Sequence, residues 1–237
     1  MSSTAEPVCE RVRGICAWVA GRAGFVRIEE KELPAYAASL PPAAEPLPPD
    51  PATDLVEVDG EARAGFVLCL DAINFGSGWW PTIRKRPGHS GYFTIAAGLT
   101  ERFRGSGPWA AAELMAVGPR EIATVLGQDS EHPLMADFAT TLRDVGEHVE
   151  REHGGRFEAV VEAANGSAPA LADLLAGWGA FADASVYDGR SVPFFKRAQI
   201  AAATPLSPAE IDAVLWTRGA GERYKSLPRP RSRNTAY

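Results

Sequence analysis

Residues 133–155 read PLMADFATTLRDVGEHVEREHGG. Leu134, Phe138, Leu142, Val145 and Val149 return every three or four positions, which sets them on one helical face, and Gly154 and Gly155 stop the run. The same spacing appears upstream, through Val8, Val12, Ile15, Cys16 and Val19, and again from Tyr92 through Ile95, Leu99 and Phe103. Shorter helices fit residues 110–116, 119–126, 157–164, 169–175, 193–203 and 208–216. Phe66 to Phe75 is apolar apart from Asp71 and Asn74; its length suits a buried helix or a strand, and we read it as helix. The turn-rich stretch from Gly76 to Gly91 has room for a short hairpin. The fold class that follows is mainly α, with at most a small β element and no internal repeat.

The chain has 237 residues, 46% hydrophobic and 23% charged, which suits a globular protein with a substantial core. Its 24 Lys and Arg against 30 Asp and Glu give a net charge of −6. Bulk charge therefore does not draw it to nucleic acid or anionic lipid, and any anion site is local. No apolar run approaches the roughly 20 residues of a membrane span, and residues 1–10 carry no secretory signal, so a cytoplasmic protein is expected. Cys9, Cys16 and Cys69 are odd in number with no C-x-x-C, and His89, His132, His148 and His153 lack ligand spacing. Neither a disulfide framework nor a structural zinc is expected. Seven prolines between Pro34 and Pro51 read as a surface connection, loop 34–53, within a single domain spanning 1–237. A basic tail, 218–237, ends the chain with Arg218, Arg223, Lys225, Arg229, Arg231 and Arg233 against Glu222 alone.

Asp71 and Asn74 are three apart, so on a helix they share a face and interrupt an apolar surface. Buried without partners they would each cost about 1–3 kcal/mol, which leaves an internal hydrogen-bond network or a ligand site. Trp79, Trp80, Tyr92 and Phe93 surround them in sequence with aromatic area suited to core packing or to stacking on a planar base. Lys196 and Arg197, after Gly189 and Pro193, stand beside an expected helix start, where a phosphate or plain solvent would satisfy them. Familiar catalytic patterns, the nucleophile elbow, H-E-x-x-H, the Walker lysine loop and the dinucleotide fingerprint, are missing from the sequence.

Taken together, Leu70-Asp71-Ala72-Ile73-Asn74-Phe75 with the tryptophans after it, Gly91-Tyr92-Phe93-Thr94-Ile95-Ala96-Ala97, and the run from Gly154-Gly155-Arg156-Phe157 through Tyr187-Asp188-Gly189 to Phe195-Lys196-Arg197-Ala198-Gln199 resemble the queuosine salvage family. The ending, Ile211 to Trp216 and Pro228-Arg229-Pro230-Arg231-Ser232-Arg233, resembles that family's C-terminus. The resemblance implies a helical fold similar to helix-hairpin-helix DNA glycosylases. It also implies metal-free, cofactor-free hydrolysis of the N-glycosidic bond of queuosine 5′-monophosphate, releasing queuine for tRNA modification. Under that reading the partner is a small nucleotide, with neither membrane nor direct nucleic-acid binding, and the protein is a monomer. Trp79, Trp80, Tyr92 and Phe93 would cover the deazaguanine, Asn74 would bind a polar edge, Lys196 and Arg197 would hold the phosphate, and Asp71 would be the catalytic carboxylate, with Asp183 the other carboxylate open to that role.

The chain departs from its family after Lys196-Arg197-Ala198-Gln199. Members continue there through further helices that carry an F-A-D motif, whose aspartate is taken as catalytic. Here Gln199-Ile200-Ala201-Ala202-Ala203 leads straight to Thr204-Pro205-Leu206-Ser207-Pro208, which reads as a deletion. Phe181-Ala182-Asp183 has the same letters but precedes that helix and aligns elsewhere. Two further readings therefore stand beside the hydrolase: a noncatalytic homologue that binds queuine or a nucleotide, and a nucleic-acid module using the basic tail, against which the net charge counts.

Overall fold

The computed structural model describes residues 8–22, 24, 29–39, 50–55, 57–58, 60–75, 80–182 and 184–193. By contacts the chain divides into two compact units, one holding the described residues before 40 and after 183, the other those from 50 to 182. The secondary structure is mainly helical, with a single two-stranded sheet among the described residues. None of the described helices is long and apolar enough to cross a membrane.

In the first unit, α1 (Val8–Ala20) keeps the expected helix and buries Ile15. The proline-rich stretch, expected to be surface connection throughout, opens instead in a short helix, α2 (Leu33–Ala38). Pro34 sits in its first turn, where a missing N–H removes no intrahelical bond, and Ala35, Ala37 and Ala38 favour helix. The unit also contains the hairpin of β1 (Ala184–Tyr187) and β2 (Arg190–Pro193), antiparallel, with Tyr187 opposite Arg190. Asp188 and Gly189 between them have φ of 47° and 74°, the left-handed pair a tight hairpin turn requires. The hairpin is thus here and not among the described residues of 76–91. Pro193, expected to start a helix, closes a strand at the chain's β edge, a position proline tolerates.

The second unit is built on α7 (Pro133–His153), which buries Leu134, Met135, Phe138, Ala139, Leu142, Val145, Gly146 and Val149. Its start is capped by His132, whose Nδ1 accepts from the Leu134 N–H at 3.2 Å, and Gly154 ends it with φ 61°. Around it lie α3 (Gly60–Ala72), α4 (Gly91–Ser106), α5 (Ala111–Ala116), α6 (Pro119–Leu126) and α8 (Phe157–Ala163), followed by α9 (Ala168–Leu175). α7 packs against α3, α5, α6 and α8, and α4 packs against α3 and α6. A 3-10 turn, Gly179–Phe181, is fastened back onto α7: Asp144 Oδ2 accepts from the Ala180 N–H at 2.7 Å. Beside it the buried Trp178 stacks on His148 at 4.9 Å and donates to Glu152 Oε2 at 3.3 Å. Hydrogen bonds from Arg151 and then His148 hold the Glu152 carboxyl down at about 2.

α3 starts at Gly60, before the apolar run, because its first turn does tertiary work. Glu61 reaches across to the start of α8, Oε1 accepting from the Phe157 N–H at 2.7 Å and Oε2 from the Glu158 N–H at 2.8 Å. One carboxylate thereby satisfies two amides that a helix start leaves open. Glu61→Gln turns one acceptor into a donor facing an N–H, and the expected loss of unfolding free energy is about 2 kcal/mol, read by urea denaturation.

Cys69 lies on α3 with no exposure, and burial pushes its thiol up to about 12. The thiolate is the reactive form, so Cys69 is expected to stay unmodified by iodoacetamide at pH 8 until the protein is unfolded. Mapping the alkylated peptides with and without denaturant reads this directly, and native labelling of Cys69 would contradict the packing described.

Candidate functional site

The end of α3 carries Asp71, with Asn74 just beyond it, the start of α4 carries Tyr92 and Phe93, and the two helices pack together. Asp71 occupies the last turn of α3, and Asn74 follows beyond its end, its N–H donating to the Asp71 carbonyl at 3.2 Å. The shared helical face expected for the two is therefore replaced by a turn: the helix stops at Ala72. Asn74 is exposed, while Phe75 meets Phe138 of α7 edge-on at 5.1 Å, which fixes the chain as it leaves the helix.

α4 begins where Ser90 caps it, the Ser90 hydroxyl accepting from the Phe93 N–H at 3.5 Å. Gly91 is at that start for a steric reason. A Cβ there would lie 2.4 Å from Cγ of Trp80, so the indole packs directly against the first turn of the helix. Tyr92 and Phe93, both half-buried, follow on the same turn with their rings edge-on at 5.2 Å. Trp80 and Tyr92 also rest on the apolar core.

The electrostatics connect the two helix ends. Asp71 is open to solvent, yet protein surrounds it on enough sides that burial pushes its carboxyl above the usual carboxylate range. Water can reach the group without fully solvating its charge, a condition typical of working carboxylates. The Tyr92 phenol is pushed up as well, first by burial, then by the negative charges of Asp71 and Asp54. The charge of Asp71, a group that water can reach, is thus felt at the half-buried Tyr92, whose ring neighbours Phe93.

Asp54 was not legible as a group acting on Tyr92. It stands in a turn, Oδ2 accepting from the Asp50 N–H at 2.8 Å, between the buried Thr53 and Leu55. Arg104 of α4 donates to the Asp54 carbonyl at 3.1 Å and pairs with Glu57, which straps this segment onto the helix. The spacing Asp50-Pro51-Ala52-Thr53-Asp54 signals only a capped turn.

Trp79, Lys196, Arg197 and Asp183 lie outside the described residues. Among the described residues no three His, Cys, Asp or Glu side chains are grouped to hold a metal ion. A separate open cavity of about 410 Å³, lined by Thr82, Arg84, Gln128 and His132 among others, sits where two loops are clasped. There the Gln128 amide accepts from the Arg84 N–H and donates to the Arg84 carbonyl, both at 2.8 Å, and Thr82 meets His132 at 3.0 Å.

Residues 55–210 match the sequence profile of a family described as queuosine salvage protein. A queuosine 5′-phosphate N-glycosylase/hydrolase of Sphaerobacter thermophilus is 34% identical over 164 residues, 67% of this chain and 51% of that protein. A protein of the same description from Dictyostelium discoideum is 30% identical over 143 residues, 59% of this chain and 41% of its own length. The chain spans about half the length of the curated relatives it matches.

Proposed function

The chain belongs to the queuosine salvage protein family, and from that premise we propose that it hydrolyses the N-glycosidic bond of queuosine 5′-monophosphate, releasing queuine and ribose 5-phosphate. The observation that carries this reading is Asp71, a solvent-accessible carboxyl with a raised pKa whose charge reaches the half-buried Tyr92. Cleavage leaves positive charge on the ribose as the bond to the base breaks. A carboxylate near the anomeric carbon stabilises that charge and draws a proton from the attacking water.

In the step itself the water oxygen bonds to the anomeric carbon while the glycosidic bond gives its electrons to the base nitrogen. The water proton passes to Asp71 and from there returns to the departing base. A 7-deazapurine lacks the N7 that a purine would offer for protonation, so help to the leaving group comes through hydrogen bonds at other edges. Asn74 is assigned to such an edge, Trp79, Trp80, Tyr92 and Phe93 to the face of the base, and Lys196 with Arg197 to the phosphate. Lys196→Ala is expected to raise KM for the phosphorylated substrate with little change in kcat, in steady-state assays.

The reading is tested by incubating the purified full chain with queuosine 5′-monophosphate and following free queuine and ribose 5-phosphate by chromatography. Release of both in equal amounts supports a hydrolase. Absence of release with measurable queuine binding replaces it with a homologue that binds without turnover.

A further inference from the structure

α3 is closed to solvent along most of its surface. Beyond Gly60, the residues it exposes are Val67 and Asp71, four apart and so on one face, a single turn from each other. Val67 is 38% exposed, whereas Phe66, Leu68, Cys69, Leu70 and Ala72 are buried. The helix therefore shows water one apolar side chain and one carboxyl, next to each other.

Asp71 is exposed, and yet its carboxyl is pushed above the usual range, with burial as the cause. A neighbouring side chain must then screen one flank of the group from water while the rest stays open. Helical side chains lean towards the N-terminus, which brings the Asp71 carboxyl over the turn that holds Val67 and Leu68. Leu68 belongs to the core, so Val67 is the one of the two that stands outside, beside the carboxyl. Branched at Cβ, valine keeps one rotamer on a helix and presents a fixed apolar wall. Past the helix end, Asn74 is exposed and Phe75 is engaged by Phe138 of α7. The titratable groups around the site are Tyr92 of α4, whose phenol the charge of Asp71 pushes up, and Asp54, which acts on the same phenol. The packed faces of α7 and α8 add no charge to the causes of the Asp71 shift.

We propose that Val67 is a positioning residue for Asp71: its methyls cover the flank of the carboxyl that faces the preceding turn and keep that flank dry. That the carboxyl so prepared takes its proton from water attacking a glycosidic carbon rests on the hydrolase reading above; the screening itself does not.

The test is an NMR titration of the purified full chain carrying isotope-labelled aspartate, with the Asp71 signal identified by its loss in Asp71→Asn. Val67→Thr keeps the shape and exchanges a methyl for a hydroxyl, and Val67→Ala removes both methyls. Each is expected to bring the Asp71 midpoint down towards 3.8, whereas Val67→Ile is expected to leave it raised. Position 67 is exposed, so melting temperatures are expected to stay close to the wild type; should the threonine variant lose folded protein, the comparison of alanine with isoleucine decides. A midpoint that stays raised in both the threonine and alanine variants would overturn the proposal. So would an equal fall in the isoleucine variant, since any change of packing would then have the same effect. In steady-state assays the acid limb of the pH–rate profile is expected to move down in Val67→Thr together with the midpoint. A midpoint that depends on Val67, with no queuine released by the wild type, would remove the hydrolase reading and leave Val67 in this role.

Discussion

Asp71→Asn is expected to lower kcat/KM for queuosine 5′-monophosphate by about a thousand-fold, the size of a positioned acid–base group's contribution, while leaving the protein folded. The substitution keeps the shape of the side chain and removes its charge. Its effect on stability has a definite sign. A carboxyl whose folded pKa is raised binds its proton more readily in the folded than in the unfolded chain. The resulting penalty is absent below the unfolded value of 3.8, grows as pH rises towards the folded value, and is fully present above it. An uncharged asparagine escapes it, so the variant is expected to melt no lower than the wild type at pH 7 and to gain most where the wild-type carboxyl is ionised. Loss of activity together with lost stability would assign Asp71 to the architecture instead. The same pKa places the acid limb of the wild-type pH–rate profile above 3.8, because the carboxylate must be ionised to accept the water proton.

Gly146→Ala is expected to lower unfolding free energy by about 3 kcal/mol, at the upper end of overpacking effects, seen as a shift in the urea midpoint without a change in slope. Gly146 lies on the buried face of α7 where α5 crosses it. A Cβ there would come within 2.7 Å of the Ala111 carbonyl oxygen, 2.8 Å of Leu114 Cβ and 2.9 Å of the Met115 nitrogen. Two of these neighbours are backbone atoms, which cannot rotate away, so the helices themselves must separate. Gly105, near the end of α4, offers the matching control, since a Cβ there meets nothing within 4 Å. Gly105→Ala is expected to stabilise by about 0.5–1 kcal/mol through helix propensity alone.

α7 was readable because its buried residues alternate cleanly with charged ones over a long stretch, and a single period dominated. α3 was readable only in its apolar half. Glu61 and Arg63 look like solvent-facing residues, yet Glu61 caps α8 and Arg63 donates to the Leu55 carbonyl at 2.5 Å. Glu61's partners lie almost a hundred residues away and Arg63's lies before the helix, so periodicity places the start of the helix too late. The hairpin was missed for a different reason. Its signal, Asp188-Gly189 between Val186-Tyr187 and Arg190-Ser191, is a tight-turn dipeptide in a stretch that also fits a loop before a helix. The proline at 193, which reads as a helix start, marks the end of the strand.

Among the candidates, Asp71 stood out because it interrupts an apolar run, and Tyr92 and Phe93 because they add aromatic area nearby in sequence. Gly91 gave no such signal, since a glycine after a serine resembles any turn. Its role depends on the direction in which Trp80 points, which only the packed structure supplies. Asp54 was hidden for the same reason: its effect on Tyr92 crosses many residues of chain and carries no motif.

The close seat of Trp80 on Gly91 also constrains how this protein can change over generations. Any side chain at position 91 collides with the indole, whereas a smaller residue at position 80 leaves a gap that position 91 could then fill. Substitutions at the two positions are therefore ordered: the tryptophan must shrink before the glycine can grow. A lineage that tries the reverse order passes through a misfolded helix start beside Tyr92, so the two residues are expected to be inherited as a pair.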